Sequence, residues 1–526
     1  MRIRTAGKWR HFAGALALAG LGWAGTAHAN PEARTQNGPV TGLVADGMRE
    51  FLGIRYAAPP TGPLRWQPPQ PVPADMATTA ATGFGPHCPQ LASPYGIAST
   101  SEDCLYLNVY APQERRDAGE RREGRERRLP VMVWIHGGAL AVGESDDYNP
   151  AQLVTAGDVI VVTINYRLGY LGYLAGSGLD AEGHVAANYG LQDQQFALDW
   201  VRRNIAGFGG DSDRITIFGE SAGGLSVLSN LVSPTGHGLF DRAIVESGAY
   251  ALTLPTLVQA EAAGDALAGA LGCAASDTAC LRALGVPQIL AQQASPTLSV
   301  TTIVDGTTLP LSIDTALKAG RFNRVPIVNG SNHDEYRLFL SARAGLTADQ
   351  YPAVLATTYG ATLGAAVAAE YPVADYTQPV LALAAAVTDR VFACTARQVD
   401  RWASPFVPVY AYEFNDANAP EAFLPPTSYD FGAAHASEIQ FLFDIRKRPG
   451  TPPLTDSETL LSQAMVRYWT NFARRASPDA RNVWTWPPYT NGTDVFQSLV
   501  PPIPTPETNF STDHHCAFWE PVIDPS

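Results

Sequence analysis

The sequence has no C-x-x-C pair, no fixed-period repeat and no excess of basic residues. Without a C-x-x-C pair a zinc site is not expected, and no metal is predicted. Lysine and arginine number 36 against 50 aspartate and glutamate residues, so the formal net charge at pH 7 is -14. This acidic balance argues against nucleic acid and anionic membranes as partners.

Long hydrophobic runs are also missing after the N-terminal segment, so no transmembrane segment is predicted. The N-terminal segment has the layout of a secretory signal peptide. A basic start precedes an apolar stretch at residues 12–25, and Ala27-His28-Ala29 forms a small-x-small cleavage site. We predict a signal peptide at residues 1–29 and a single mature domain at residues 30–526. Its removal takes the net charge from -14 to -18, and the mature protein is expected in the periplasm or outside the cell.

The six cysteines of an exported chain predict disulfide bonds, because their number is even and the compartment is oxidising. Proximity along the chain favours a disulfide between Cys88 and Cys104 and another between Cys273 and Cys280. Cys394 and Cys516 remain as the third pair.

Short β-branched runs alternate with longer helical patterns along most of the chain. The runs predict strands at residues 131–135, 159–164, 215–218, 243–245, 326–328 and 408–412. Apolar pairs four residues apart predict an amphipathic helix at residues 191–204. This alternation indicates an α/β fold with a large, mostly parallel sheet covered on both faces. The Ala- and Leu-rich segments 257–294 and 347–387 predict helical insertions that form a cap over the site.

A candidate nucleophile follows the predicted strand at residues 215–218. Gly219-Glu220-Ser221-Ala222-Gly223 is a G-x-S-x-G motif, in which a sharp strand-to-helix turn exposes the serine hydroxyl. We interpret Ser221 as a nucleophile that becomes acylated.

A serine nucleophile needs a histidine base, which follows the serine and the acid in α/β-hydrolase order. His237 is too close to Ser221, and His333 precedes the expected acid. His514 and His515 lie beside Cys516 near the terminus, where a surface role is expected. His435 lies among small residues that let its ring turn inward. It is the predicted base.

The acid that orients the histidine has four candidates. Asp334 and Glu335 follow the strand run 325–328, whereas Glu413 and Asp416 follow the run 408–412. The residues themselves do not decide among these four.

A second small-residue loop follows the predicted strand at 131–135. His136-Gly137-Gly138-Ala139 allows consecutive backbone N–H groups to converge on a developing oxyanion. His136 precedes the serine and is interpreted as a structural residue or a pocket wall.

Taken together, these motifs resemble those of the type-B carboxylesterase family, which includes the cholinesterases. Phe208-Gly209-Gly210 with residues 215–223 matches the long nucleophile signature of the family, and Glu102-Asp103-Cys104-Leu105 opens its second signature at residues 102–109. Similar segments elsewhere extend the resemblance over nearly the whole mature chain: residues 53–57, 165–167, 188–193 and 468–473.

The resemblance implies an α/β-hydrolase fold with Glu335 as the triad acid and His435 as the base. It also implies that the backbone N–H groups of Gly138, Ala139 and Ala222 bind the oxyanion, and that no cofactor is used. The chain departs from the family where Tyr336 replaces a frequent glycine, which predicts a narrower pocket. The short loop between the first two cysteines contains no tryptophan, so choline esters are not the predicted substrates.

The function predicted from these observations is a secreted serine carboxylesterase that acts on small-molecule esters through an acyl-enzyme. One alternative is a non-catalytic adhesion or binding protein of the same fold. Such relatives usually lack the serine or the histidine, and both are present here. A specialised lipase, or a polyester, lactone or toxin esterase, is the alternative among enzymes.

Overall fold

The structure of the chain is a computed structural model that describes residues 30–75, 77–113, 128–293, 300–479 and 484–525. The predicted signal peptide, residues 1–29, lies outside the described residues.

The described residues form sixteen β-strands. In chain order they are β1 Glu32–Thr35, β2 Gly38–Thr41, β3 Leu43–Ala45, β4 Met48–Arg55, β5 Thr79–Ala80, β6 Tyr106–Pro112, β7 Leu129–Ile135, β8 Tyr148–Asn149, β9 Ile160–Ile164, β10 Gly210–Glu220, β11 Arg242–Glu246, β12 Ile327–Asn332, β13 Val409–Phe414, β14 Asp444–Ile445, β15 Phe496–Leu499 and β16 Thr505–Glu507.

Eleven of these strands form one sheet in the order β16-β15-β13-β12-β11-β10-β7-β9-β6-β4-β3. The seven strands from β15 to β9 run parallel, and the strands outside them pair antiparallel. The six predicted strand runs correspond to β7 and β9–β13, so the predicted large and mostly parallel sheet is confirmed. Parallel strands need long crossovers, which explains why helices separate them in the sequence.

The central strands are buried on both faces, as their continuous apolar runs predict. In β7, Val131, Val133 and Ile135 belong to one apolar core, whereas Met132 and Trp134 belong to a second core on the opposite face. This alternation follows from the two-residue period of a strand. The sheet therefore separates two cores.

Sixteen α-helices cover the sheet within the described residues. They are α1 Ala151–Gly157, α2 Gly169–Tyr173, α3 Ser177–Asp180, α4 Tyr189–Asn204, α5 Ala222–Val232, α6 Leu257–Ala270, α7 Thr278–Ala283, α8 Val286–Gln293, α9 Ile313–Lys318, α10 Tyr351–Tyr359, α11 Ala361–Glu370, α12 Pro379–Thr388, α13 Cys394–Ala403, α14 Asp456–Arg475, α15 Phe510–Asp513 and α16 Cys516–Ile523.

The predicted helix at 191–204 is α4. The helical segments predicted at 257–294 and 347–387 contain α6–α8 and α10–α12. Helix α5 packs in the first core through Leu228 and Leu231, and α14 packs in the second through Met465 and Trp469. The sheet thus has helices on both faces.

One helical run of the described chain, Pro379–Ala403, is long and apolar enough to cross a membrane. The sequence predicts no segment of this length and apolarity after the N-terminal segment, so this helical run was not expected. Most of its apolar window is buried inside the protein, as is typical of a core helix in a soluble protein.

Three disulfides join the cysteines in the pairs that proximity predicts: Cys88–Cys104, Cys273–Cys280 and Cys394–Cys516. The third closes the longest loop, with a sequence separation of 122 residues. It fastens the start of α16 to the start of α13, so the C-terminal segment is held against the protein.

Candidate active site

Four parallel strands of the large sheet end at the same edge, and the predicted site residues follow them. β7 leads into the loop with Gly138, β10 into Ser221 and β12 into Glu335, while His435 lies in the long connection after β13. The carboxyl ends of parallel strands share one edge of a sheet. Residues that are far apart in the sequence therefore come together here.

Ser221 occupies the sharp turn between β10 and α5. Its backbone has φ 56° and ψ -121°, a conformation that costs a residue with a side chain about 1–3 kcal/mol. Close packing explains the glycine two positions later, because a Cβ at Gly223 would lie 1.9 Å from the carbonyl oxygen of Ile135. The turn brings Ser221 to the wall of a cavity.

The loop after β7 brings two backbone N–H groups to the same cavity. Gly138 and Ala139 have positive φ angles of 94° and 55°. Within the described chain, neither of their N–H groups donates a hydrogen bond. The N–H of Ala222 is also without an intrahelical acceptor, because it lies in the first turn of α5. These are the three N–H groups that the family resemblance implies as oxyanion donors.

His136, at the start of this loop, is fully buried and stacks on Tyr166 with 4.5 Å between the ring centroids. Burial lowers the pKa of His136 to about 4. A neutral, stacked imidazole agrees with the predicted structural role.

His435 and Glu335 form a buried pair. The Nδ1 atom of His435 lies 2.5 Å from Oε2 of Glu335, and the two side chains are 5% and 0% exposed. The second carboxylate oxygen of Glu335 accepts a hydrogen bond from the backbone N–H of Asn332 at 2.9 Å. Both oxygens are therefore engaged, and the carboxylate fixes one side of the imidazole ring.

The other three acid candidates make different contacts. Asp334 accepts a hydrogen bond from the backbone N–H of Ala433, in the loop that carries His435. Glu413 contacts the ring of His514, and Asp416 accepts a hydrogen bond within its own turn. Among the described contacts, only Glu335 and Glu220 bring a carboxylate to the His435 ring.

Glu220, the residue before Ser221, is a second carboxylate against the imidazole. Its Oε1 atom lies 3.1 Å from Nε2 of His435. No hydrogen bond joins Ser221 to His435 in this structure, although both residues line the same cavity. The imidazole is therefore flanked by carboxylates at both ring nitrogens.

These carboxylates change the protonation of the histidine. Burial alone would lower the pKa of His435, but the negative charges of Glu220 and Glu335 outweigh it and raise that pKa to about 9. Burial likewise raises the pKa of Glu220 well above its usual range, and the charge of His435 opposes this. His435 and Glu220 therefore compete for one proton.

Two further buried glutamates belong to the same group of acids. Burial raises the pKa of Glu246 to about 8 and that of Glu438 to about 7. Glu246 accepts a hydrogen bond from the indole of Trp469 at 2.8 Å, and Glu438 accepts one from the amide of Asn332 at 2.5 Å. Such partners stabilise buried carboxyl groups without a cation.

The cavity beside Ser221 has a volume of about 200 Å³. Its walls are mainly apolar, and the side chains that form them include Tyr95, Val142, Leu338, Phe339, Phe423, Ile439 and Ile445. Tyr336, which was predicted to narrow the pocket, is not among its lining residues. A larger cavity of about 510 Å³ exists in the described chain, but none of the candidate catalytic residues line it.

The remaining candidate histidines lie elsewhere. His237 is exposed and His333 is partly exposed. The expected surface role is wrong for His514, which is only 2% exposed because its ring packs between two carboxylates. His515 is partly exposed and contacts Glu370 at 2.6 Å.

Several residues of the site were not singled out from the sequence. Glu220 stands inside the nucleophile motif, and its adjacency to Ser221 was a signal that could have identified it. Phe339 lies 5.0 Å from the ring of His435, centroid to centroid, and forms a wall. No local sequence signal marks this phenylalanine, because its position depends on the segment that follows β12.

Comparison with known proteins identifies the family of the chain. Residues 29–519 match the profile of the Carboxylesterase family. The chain is 34% identical to an acylcarnitine hydrolase of Mus musculus over 90% of this chain and 88% of that protein. It is also 34% identical to the para-nitrobenzyl esterase of Bacillus subtilis (strain 168), over 86% and 92% respectively.

A solved structure of a thermophilic PNB esterase superposes with a TM-score of 0.78 at 32% identity, covering 93% of this chain and all of the other. The sheet, its flanking helices and the arrangement of the strand ends are thus those of an α/β-hydrolase. The chain belongs to the carboxylesterase family and is a carboxylic ester hydrolase.

Proposed function

We propose that the mature chain is a secreted serine carboxylesterase that hydrolyses small carboxylic esters through an acyl-enzyme intermediate. Ser221 is the nucleophile, His435 the general base and Glu335 the acid that orients it. The observation that carries this proposal is the shared cavity. A serine in a strained turn lines this cavity together with an imidazole whose Nδ1 lies 2.5 Å from a buried carboxylate, and this supports the proposal.

Acylation begins when the hydroxyl of Ser221 attacks the ester carbonyl carbon. His435 takes the hydroxyl proton at Nε2, and Glu335 stabilises the imidazolium through Nδ1. The hydrogen bond between Ser221 and Nε2, absent from this structure, forms when the substrate fills the cavity.

The negative charge that develops on the carbonyl oxygen needs donors already in place. The N–H groups of Gly138, Ala139 and Ala222 supply them, and one such donor is worth about 3–4 kcal/mol of transition-state stabilisation. The alcohol then leaves with the proton from His435. Water, activated by the same base, attacks the acyl-enzyme and releases the carboxylic acid.

The walls of the cavity favour small or aromatic ester groups. A volume of about 200 Å³ with Phe339 and Phe423 among its walls suits a compact apolar group and excludes a long folded chain. The names of the acylcarnitine hydrolase and the para-nitrobenzyl esterase indicate acylcarnitines and para-nitrobenzyl esters as substrates of these relatives.

Export is the second part of the proposal. Residues 1–29 have the layout of a signal peptide, with cleavage proposed after Ala29. The disulfides support an oxidising compartment, because such bonds persist outside the cytosol. We propose that residues 30–526 form one exported catalytic domain.

A serine-directed organophosphate tests the nucleophile without any substitution. We expect stoichiometric inactivation of ester hydrolysis, because the strained serine beside a base reacts with the reagent. Peptide mapping by mass spectrometry should place the adduct on Ser221. Full inactivation with the adduct on another residue would contradict the assignment.

Removing the carboxylate at position 220 is expected to change the pH dependence. Glu220→Gln deletes a negative charge 3.1 Å from His435. Since that charge raises the pKa of His435, the acid limb of the kcat/KM profile should move to lower pH by about 1–3 units. The measurement is kcat/KM for p-nitrophenyl acetate between about pH 5 and pH 10, a range that covers both sides of the ordinary pKa of histidine.

The control is Glu246→Gln, a buried glutamate that hydrogen-bonds to Trp469 and not to His435. We expect a much smaller shift in this variant. An acid limb that stays in place in Glu220→Gln, or that moves equally in both variants, would show that Glu220 does not set the pKa of the base.

A further inference from the structure

A group of ionisable side chains that the ester hydrolysis does not use lies behind the catalytic acid. His514, Glu413 and Asp389 are buried, with exposures of 2%, 3% and 3%. His333, two residues before Glu335, joins them, with 5.1 Å between the ring centroids of His333 and His514. One potential ligand atom from each of His333, Glu413 and His514 lies within 4.8 Å of the other two.

Each imidazole of this group is oriented by a carboxylate at Nδ1. Asp389 contacts Nδ1 of His514 at 2.6 Å, and Asp334 contacts Nδ1 of His333 at 3.2 Å. The Nε2 atom of His514 is thereby directed at Glu413, whose Oε1 lies 2.5 Å away. Carboxylates that hold the second nitrogen of a ligating histidine are the usual outer partners of a metal site.

The group carries more buried carboxylates than ion-pair partners. Glu413 and Asp389 both contact the ring of His514, one at each nitrogen. Asp334, which contacts His333, is paired with Arg337 at 2.7 Å. Among the described ion pairs, Glu413 and Asp389 have His514 alone as a basic partner.

We propose that His333, His514 and Glu413 bind one Zn²⁺ ion. Two imidazoles and one carboxylate are ligands that zinc accepts, with a water molecule in the fourth position of the tetrahedron, and imidazole disfavours calcium and magnesium. The ligand carboxylate balances part of the charge of the ion. Asp389 and Asp334 then hold the imidazoles, as they do now.

The distances suit such an ion after a small movement. Zinc bonds of about 2.0–2.2 Å in a tetrahedron place neighbouring ligand atoms about 3.4 Å apart. The three ligand atoms lie within 4.8 Å of one another, and the 2.5 Å between Nε2 of His514 and Oε1 of Glu413 would have to widen on binding.

The position of the site gives it a structural role. His333 directly follows β12, Glu413 belongs to β13, and His514 lies between α15 and α16. A bound ion would therefore tie the ends of two neighbouring strands to the C-terminal segment. It would act on stability rather than on the chemistry of Ser221, because none of its ligands lines the catalytic cavity.

Metal binding to the tag-free, chelator-treated mature protein tests this proposal. We expect one Zn²⁺ per chain by elemental analysis after dialysis, and a higher Tm with zinc than with chelator. Bound Co²⁺ should give the strong visible absorption of a tetrahedral site. Thiolates cannot produce this signal, because all six cysteines are in disulfides.

Two variants and one control assign the site. His333→Ala removes the most accessible ligand and should weaken Zn²⁺ binding more than about 10-fold; His514→Gln should do the same. His515→Ala is the control, because His515 is adjacent in sequence and also contacts a carboxylate, and it should bind zinc as the unaltered chain does. Failure of the unaltered chain to retain zinc, or equal binding by His333→Ala and His515→Ala, would overturn the proposal.

Discussion

Ser221→Ala is expected to lower kcat for p-nitrophenyl acetate about 10⁶-fold, the loss found when a serine hydrolase loses its nucleophile. The residual rate would come from the oxyanion donors and from substrate binding, which the substitution leaves intact. Alanine deletes only the hydroxyl oxygen, so the turn between β10 and α5 keeps its shape. Steady-state kinetics and loss of organophosphate labelling measure the effect.

Ser229→Ala is the matched control for this substitution. Ser229 is the same residue type, is fully buried and lies in α5, about two helical turns beyond the turn that carries Ser221. We expect it to keep near-normal kcat. If Ser221→Ala retained more than about one hundredth of the activity, an effect far below that of nucleophile loss, another residue would have to form the acyl-enzyme.

Glu335→Gln is expected to lower kcat about 10⁴-fold, as the corresponding change does in serine proteases. The amide keeps the size of the carboxylate but cannot stabilise an imidazolium. It can also donate its own N–H to Nδ1 of His435, which would leave the proton on the wrong ring nitrogen. The measurement is kcat at saturating substrate, together with a thermal melt to show that the fold is retained.

Asp334→Asn separates this effect from a general disturbance of the loop. Asp334 is the neighbouring acid and was an open candidate for the same role, but it contacts backbone rather than the imidazole of His435. We expect a much smaller loss of kcat than in Glu335→Gln. The reverse ranking of the two variants would transfer the role of triad acid to Asp334.

The sheet could be predicted from the sequence because its signals are local. A strand such as β7 is a continuous apolar run, and a helix such as α4 shows apolar pairs four residues apart. The position of Ser221 was also predictable, since the glycines that allow its turn stand beside it in the chain.

The choice of acid could not be made from local patterns. Asp334 and Glu335 are adjacent and follow the same strand, and only the direction of each side chain separates them. That direction depends on Asn332, whose N–H holds Glu335, and on a loop one hundred positions away. Only the resemblance to the type-B carboxylesterase family identifies Glu335, because composition and spacing do not distinguish the four candidate acids.

The burial of His514 also could not be predicted from the sequence, but for a different reason. Its place near the terminus predicts exposure, because chain ends usually lie at the surface. The disulfide between Cys394 and Cys516 instead holds this end of the chain against α13. The histidine is thus drawn between carboxylates that belong to distant segments, Asp389 and Glu413.

The two outermost strands of the eleven-stranded sheet have a consequence for self-association. β3 and β16 have three residues each, and β16 carries Pro506 at its centre. A proline offers no N–H, and so short a strand offers another copy few free backbone groups for pairing. Neither edge strand of the sheet is therefore a good template for pairing with another copy, which protects the folded protein from edge-to-edge aggregation.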